Sequence, residues 1–428
     1  MEKHGTGLVG DGGDAKGMGM HEQGGNPDLR PSRGTVTSEQ FIENRRSIGL
    51  NAKHLIPKAI EHHGLAGRQV PLLTQPGWIP GAPLPLDRVH LELDIKPQND
   101  LSQARRATSH YWPPVPGTTH PSYSQAVGEH HRPSRWYDGR SFRLMDVAPH
   151  GAAQNAEPAQ QEVTLRFALG TYFDAYDTCE PLGYEAALSY ARTSGQTIDG
   201  PYRQWLNDPF DLRNRCAVPG VNTLTIRRSD NETTFYLHER TGVATAMGTT
   251  HVVPAGEFQF SGQTAEPLDA ELDLRSTIIR EYVEEFLGAE DVLSPKLHKT
   301  AIDFSATRKY SPLVKAIAEG EAKIYYLGLG LYPLTWKPEI LVVCVFEARL
   351  FDKVFRDMQR EVYEGKIVGA TPLKGFRYAL RGRRGPYQGL RFDEETVSYH
   401  RDLPTTLPAG RACLALAWKY WEENKLPL

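Results

Sequence analysis

The two most apolar runs of the chain lie close together: "AKIYYLGLGLYPL", ending at Leu334, and "PEILVVCVFEARL", ending at Leu350. Near-continuous apolar runs of this kind mark strands covered on both faces, so these two are expected at the centre of a sheet. Before them, "VNTLTIRRSD" and "TTFYLHER" flank the turn-forming Ser229, Asp230 and Asn231 and predict a hairpin. "THVVPAGEFQF", from Thr250 to Phe260, reads as a third extended piece. A period near 3.6 predicts helices over Leu274–Gly288, Ser311–Glu319, Asp352–Gly365 and Gly410–Asn424. Strands and helices succeeding one another in this order predict a layered α+β sandwich.

The first half is patterned differently. Phe41, Ile48, Leu55, Ile56 and Ile60 predict helix over Ser38–His63, broken at Gly49–Asn51. Helical pairs of this kind are more often docking or packing elements than DNA readers, and the third helix of a helix–turn–helix module is missing. Proline, glycine and histidine dominate Pro71–His150, where only "RVHLELDI" alternates like a strand and the remainder reads as long loops. Val163, Leu165, Phe167 and Leu169 predict a strand within Gln161–Asp174. Glu180–Arg192 reads as a helix and Pro209–Arg215 as a polar linker. The glycine-rich start cannot bury much apolar surface and is expected to be disordered. The expected organisation is a tail over 1–34, a helical and loop-rich region over 35–158, a strand–helix segment over 159–219 and a domain over 220–428, on which that segment packs.

Composition narrows the function classes. The 428 residues carry a formal charge of -3, with 39% hydrophobic and 24% charged residues, which fits neither a polybasic nucleic-acid binder nor an acidic tail protein. The four cysteines, Cys179, Cys216, Cys344 and Cys413, form no C-x-x-C pair and are expected as buried free thiols in a reducing compartment. With no apolar leader and no run of about 18 apolar residues, a soluble, cytoplasmic protein without a membrane span is expected. His110, His120, His130 and His131, with Glu129 beside the last pair, fall in the expected loops without compact ligand spacing.

The helix over Leu274–Gly288 holds the most pointed chemistry. At about 100° per residue, Ile278, Ile279, Tyr282, Val283, Phe286 and Leu287 share one side, and Arg280, Glu281, Glu284 and Glu285 the other. Carboxylates at i, i+3 and i+4 crowd one turn and repel. Arg280 would offset part of this through its i,i+4 relation to Glu284, and a hard cation would offset more. By angle alone, this is also the pattern of an ordinary solvated helix face.

"REYVEEFLG", Arg280 to Gly288, resembles the core of the Nudix box, and "VVPAGEFQ" resembles the strand and loop that end at the box's first glycine, here Gly256. Order of elements extends the likeness to about Gly220–Phe351. The resemblance implies a Nudix-like α/β/α sandwich with a mixed sheet, carrying an N-terminal helical and loop-rich extension. It implies Mg²⁺ or Mn²⁺ held by Glu281 and Glu285, with Glu284 a further ligand or the group that activates water, and Arg280 orienting the glutamates. The loop from Gly256 to Arg280 is about ten residues longer than the family's. Leu272 stands where the family has its middle glutamate, flanked by Glu271 and Asp273 as candidate substitutes. Leu287 holds the site of the closing glycine, and Gly288 comes one place after it. A fainter likeness, through "PGWIP" at Pro76–Pro80, is to actinobacterial Nudix-like regulators.

The expected chemistry rests on these residues. A metal would neutralise phosphate oxygens and acidify a bound water, and a third carboxylate would take the proton. Glu284 is the first candidate, with Glu347 at a strand end a weaker one, and Gly256 and Glu257 are weaker site candidates without an assigned step. "RYALRGRRG", with Arg377, Arg381, Arg383 and Arg384, is a candidate anion clamp or a solvated loop. "GLGLYP" lacks the third glycine and setting of a dinucleotide site and reads as a strand bulge. Two functions are thus expected: a Mg²⁺-dependent Nudix-type hydrolase cleaving a diphosphate linkage in a nucleoside diphosphate derivative, or a Nudix fold kept as a non-catalytic ligand sensor or interaction module.

Overall fold

The computed structural model describes residues 36–95, 100–133, 136–150, 161–241, 248–261, 268–289, 303–362, 365–369, 371–372 and 384–426. The expected tail over 1–34 lies outside the described residues, as do Arg377, Arg381, Arg383 and the side chain of Arg384. The protein is mixed α and β, and no described helix is long and apolar enough to cross a membrane.

In the first half, helices α1 (Ser38–Leu50) and α2 (Ala52–His62) meet at Asn51, where the break was expected. A capping box, Thr37 with Gln40, starts α1, and Phe41 plugs a cluster with Trp112, Tyr123 and Tyr184 at 5.9–6.0 Å between ring centroids. The region expected as loops is more ordered than its composition suggests. It holds the short strand β1 (Leu84–Pro85), the expected β2 (Val89–Asp94), helices α3 (Ser102–Thr108) and α4 (Tyr123–His130), and β3 (Arg140–His150). Helices of 7 and 8 residues are too short for periodicity to reveal. Buried Tyr111, Trp112 and Tyr123 anchor them instead. β4 (Glu162–Thr171) runs between β2, to which it is parallel, and β3, to which it is antiparallel. Residues on both sides of position 158 therefore share one sheet. Helices α5 (Tyr172–Thr178), α6 (Glu180–Arg192) and α7 (Pro201–Leu206) come next.

The second half is built on a mixed sheet. β5 (Gly220–Arg228) leads to β6 (Thr233–Phe235), β7 (Leu237–Arg240), β8 (Thr250–Val252) and β9 (Ala255–Glu257). After helices α8 (Leu268–Glu271), α9 (Leu274–Glu285) and α10 (Ser311–Ala318) come β10 (Lys323–Leu331) and β11 (Pro338–Glu347). The main sheet runs β1, β10, β11, β5, β6, with β9 also on β5. β11 is parallel to β5 and antiparallel to β10, so the two most apolar runs are central, as expected.

Helices cover both faces of this sheet. Leu224, Ile226, Leu341, Val343 and Val345 pack against Ala412, Cys413, Leu416 and Tyr420 of the last helix, Pro408–Glu422. On the other face, Thr225 and Phe346 meet Tyr282, Phe286 and Phe355, with Tyr282–Phe286 at 5.1 Å and Phe286–Phe355 at 5.0 Å. Each ring so buried contributes roughly 1.5–3 kcal/mol. The result is a helix–sheet–helix layering. All four cysteines are buried and free.

Two expectations are corrected. "TTFYLHER" is not one strand, because it splits at Tyr236 into β6 and β7, which belong to different sheets. The helix expected over Asp352–Gly365 is α11 (Ala348–Val354), which starts earlier because Glu347 caps it. Pieces of strand then take over, β12 (Met358–Gln359), β13 (Glu361–Val362) and β14 (Gly365–Ile367), and β14 pairs with β7. The helix Glu394–Asp402, short and with Val397 its one buried residue, has too weak an apolar stripe for the sequence pattern to announce it.

The expected bulge in "GLGLYP" is present: register shifts between Tyr326 and Gly328, whose φ is 142°. The "PGWIP" segment lies across it. Leu329 N donates to Trp78 O at 3.1 Å, and a Cβ on Gly328 would meet Ile79 Cδ1 at 2.5 Å. Only glycine admits that approach.

Candidate functional site: the unit of β9 and α9

Asp273 caps α9, accepting from the amides of Arg275 and Ser276 at 3.1 and 3.0 Å. Glu271 closes the preceding loop, accepting from Ser261 N at 2.8 Å. Neither candidate substitute for the middle glutamate therefore stands among the helix acids, since each holds backbone instead. The late glycine has an equally local reason. Gly288 takes φ 64°, with Ala289 N donating to Val283 O and Gly288 N to Glu284 O. The Gly288–Glu284 bond is that of an αL helix end, which needs a left-handed residue one place after the buried Leu287.

The charged face of α9 is not solvated. Arg280, Glu281 and Glu285 are only 1%, 7% and 5% exposed, because β9 lies on them. Arg280 does not reach for Glu284. Its Nε and Nη2 donate to Glu281 Oε1 at 3.2 and 2.7 Å, its Nη1 to Gln259 O at 3.0 Å and its Nη2 to Glu257 O at 2.7 Å. Ala255 N donates to Glu285 Oε2 at 3.2 Å. A Cβ on Gly256 would lie 2.1 Å from the Glu281 carboxylate, so glycine here makes room for that carboxylate. Tyr282 pairs its hydroxyl with Thr225 Oγ1 at 2.8 Å and fixes the helix on β5. Glu284 is half-buried. The structure thus brings Gly256, Arg280, Glu281 and Glu285 together.

Glu347 is placed elsewhere. It is exposed and caps α11 through Arg349 N at 2.8 Å, and it pairs with Arg228 at the end of β11 farthest from β9. The glutamate near β9 is Glu339, at the other end of the same strand. Glu257, Gly220 and Glu339 form one row across β9, β5 and β11, on the sheet face opposite α9. Gly220 leaves that row open, since a Cβ there would lie 2.4 Å from Glu339 Oε2.

Around this row sits a second charged group that sequence reasoning missed. Lys337 Nζ donates to Glu257 Oε1 at 2.8 Å. Burial alone would lower the ammonium's pKa, but Glu257, Glu339 and Glu180 together hold it above the usual lysine value. Burial pushes the carboxyls of Glu180 and Glu339 up, against the pull of Lys337. Asn222 Nδ2 donates to Glu339 Oε2 at 2.7 Å, and its Oδ1 accepts from His251 Nε2 at 2.7 Å. Burial drops the His251 pKa to about 3, so the ring is neutral. No spacing announces this set, which comes from separate segments that only the strand register aligns.

The loop histidines serve separately. His110 lies against Tyr111, His120 faces Ser109 Oγ, His130 bridges Ser38 Oγ and Pro114 O, and His131 meets Arg45. Among the described residues no group of three or more His, Cys, Asp or Glu side chains is placed to hold a metal ion. Neither protein-family models nor curated proteins provide a match to this chain.

Proposed function

We propose that residues 220–428 are a Nudix-type module that works by binding a ligand, as a sensor or interaction domain, and not by hydrolysis. One observation carries this reading: two of the three helix acids are nearly buried and already hydrogen-bonded within the fold. A hard cation prefers carboxylate oxygens with room for its waters. Glu281 Oε1 instead receives two guanidinium bonds, so its counter-charge is Arg280, and Glu285 receives a backbone amide. As assembled, these residues do not fit a Mg²⁺ or Mn²⁺ site. Their work is to fasten β9 to α9.

The second reading, a Mg²⁺-dependent hydrolase of a nucleoside diphosphate derivative, is favoured by the seating of the Glu281 carboxylate against Gly256, as the family's strand–loop–helix unit implies. One pair of measurements separates the two. Thermal shift with Mg²⁺ or Mn²⁺ is expected to leave the parent's midpoint unmoved, as in Glu284→Gln and Glu285→Gln. A panel of nucleotide sugars, dinucleotides and nucleoside triphosphates is expected to yield no metal-dependent product. Metal-dependent turnover by the parent, lost in Glu284→Gln, would overturn the binding reading in favour of the hydrolase.

A further inference from the structure

At the end of α9, Leu287 opens onto a groove of about 330 Å³ lined by Arg308, Lys309, Ser311, Lys353 and Arg356, with Pro312 and Val354. Four cations stand around it against one carboxylate, Asp357, whose Oδ2 is 3.6 Å from Arg356 Nε. Lys309 is held in place by a bond from Nζ to Leu287 O at 2.7 Å. The cations come from two segments, residues 308–309 before α10 and residues 353–356 at the end of α11, which the fold turns toward one cavity. Ser311 N already bonds to Thr307 O, and Leu313 N and Val314 N to Tyr310 O, so recognition in the groove falls to side chains.

We propose that this groove binds the phosphate end of a small molecule carrying two or more negative charges, such as a diphosphate. Like charges gathered around one cavity repel, and a multiply charged anion relieves that repulsion. Two guanidinium groups offer planar forks that match phosphate oxygens, and two ammonium groups add point charge. Pro312 and the aliphatic stems of the cations give apolar surface for the rest of the molecule, while Leu287 and Val354 are themselves buried. The volume sits at the small end of ligand cavities, which suits a small molecule and not a duplex. The inference rests on the ligand-binding reading above but on other residues, and it answers a difficulty in that reading. An anionic ligand is repelled by the acids of α9, whereas this groove attracts it.

The test is calorimetric titration of the full chain with inorganic pyrophosphate at low and physiological salt. The parent is compared with Arg308→Ala/Arg356→Ala, with Lys353→Glu and with Glu281→Gln. The four groove cations are exposed, so the groove variants should keep the parent's unfolding midpoint. Binding that weakens about tenfold or more in both groove variants at low salt, with the parent's own affinity falling and that difference narrowing at physiological salt, is the expected result, because lost charge-assisted bonds are of that size and are screened by salt. Equal affinity in parent and groove variants, or no binding at millimolar pyrophosphate, would overturn the proposal. Binding that tightens in Glu281→Gln, with the groove variants unchanged, would place the anion on the α9 face and also overturn it, while leaving a ligand-binding module. A single-stranded oligonucleotide bound more tightly than pyrophosphate, through the same cations, would replace the small molecule with nucleic acid. Metal-dependent turnover with groove binding intact would sink the non-catalytic reading and leave the groove.

Discussion

Strand β9 separates two charged groups that are built on opposite principles. On the α9 side, Arg280 meets Glu281, and every bond of the guanidinium goes to that carboxylate or to backbone carbonyls after β9 begins. On the other side, one ammonium, Lys337, serves three carboxylates, Glu180, Glu257 and Glu339. The Arg280–Glu281 pair is matched in charge and almost fully buried. The second is mismatched and half-buried. A matched buried pair fastens two elements and tolerates no missing partner. A mismatched cluster can trade protons, so its cost depends on pH.

The largest effect should come from breaking the matched pair. Arg280→Met leaves Glu281 buried without its cation and strips donors from Gln259 O and Glu257 O. Removing one partner of a buried pair costs about 3–5 kcal/mol, read as a shift of the urea midpoint. The double variant Arg280→Met/Glu281→Met should recover much of that loss, since apolar pairs often replace buried ion pairs at little cost. Lys337→Met is the counterpart on the other face. Its loss should be smaller at pH 5, toward the range where Glu180 and Glu339 take up protons, than at pH 8. A Lys337→Met loss as large as that of Arg280→Met, and flat with pH, would erase the contrast between the two groups.

The same contrast decides how much of the fold and site was legible in the sequence. The central strands and α9 could be read because each announces itself within a dozen residues. Burial of the α9 acids could not, since charge on one face of a helix ordinarily means water, and only the return of β9 across Gly256 excludes it. The Lys337 cluster was invisible for a different reason. Glu339 and Glu347 end the same strand and look alike in sequence, and only the parallel register of β11 with β5 decides which lies near β9. Asp273, Glu271 and Glu347 were plausible chemical acids by type, yet each is spent on backbone amides, and for Asp273 and Glu347 local spacing at a helix start foreshadows that use.

Within the mismatched group the next effect is a pH dependence with two opposing signs. Glu180 and Glu339 have raised pKa values in the fold, so their protonated forms favour folding. That contribution is present below the ordinary glutamate value and is lost as pH rises through their raised values. His251 is the reverse. Its folded pKa of about 3 lies below the ordinary value of about 6.5, so its contribution is present above 6.5 and is lost as pH falls toward 3. Unfolding midpoints from pH 3 to 8 should therefore show Glu339→Gln gaining on the parent as pH rises past the glutamate range. His251→Gln should lose less than the parent between pH 6.5 and 3. Parallel profiles for parent and variants would show that the cluster takes up no protons differently from the unfolded chain.

The smallest effect sharpens the comparison from outside, because Glu347 belongs to neither group. Its carboxylate bonds only the amides of Arg349 and Leu350, so Glu347→Ala should cost about 1 kcal/mol, the usual value of a lost helix cap. The loss should be additive with Arg280→Met and with Lys337→Met, since distant sites without shared partners combine independently. Glu347→Gln keeps an oxygen acceptor and should recover part of the cost. Coupling of more than about 0.5 kcal/mol with either partner would mean that the far end of β11 communicates with β9, and that the two groups are not separate devices but parts of one strained sheet.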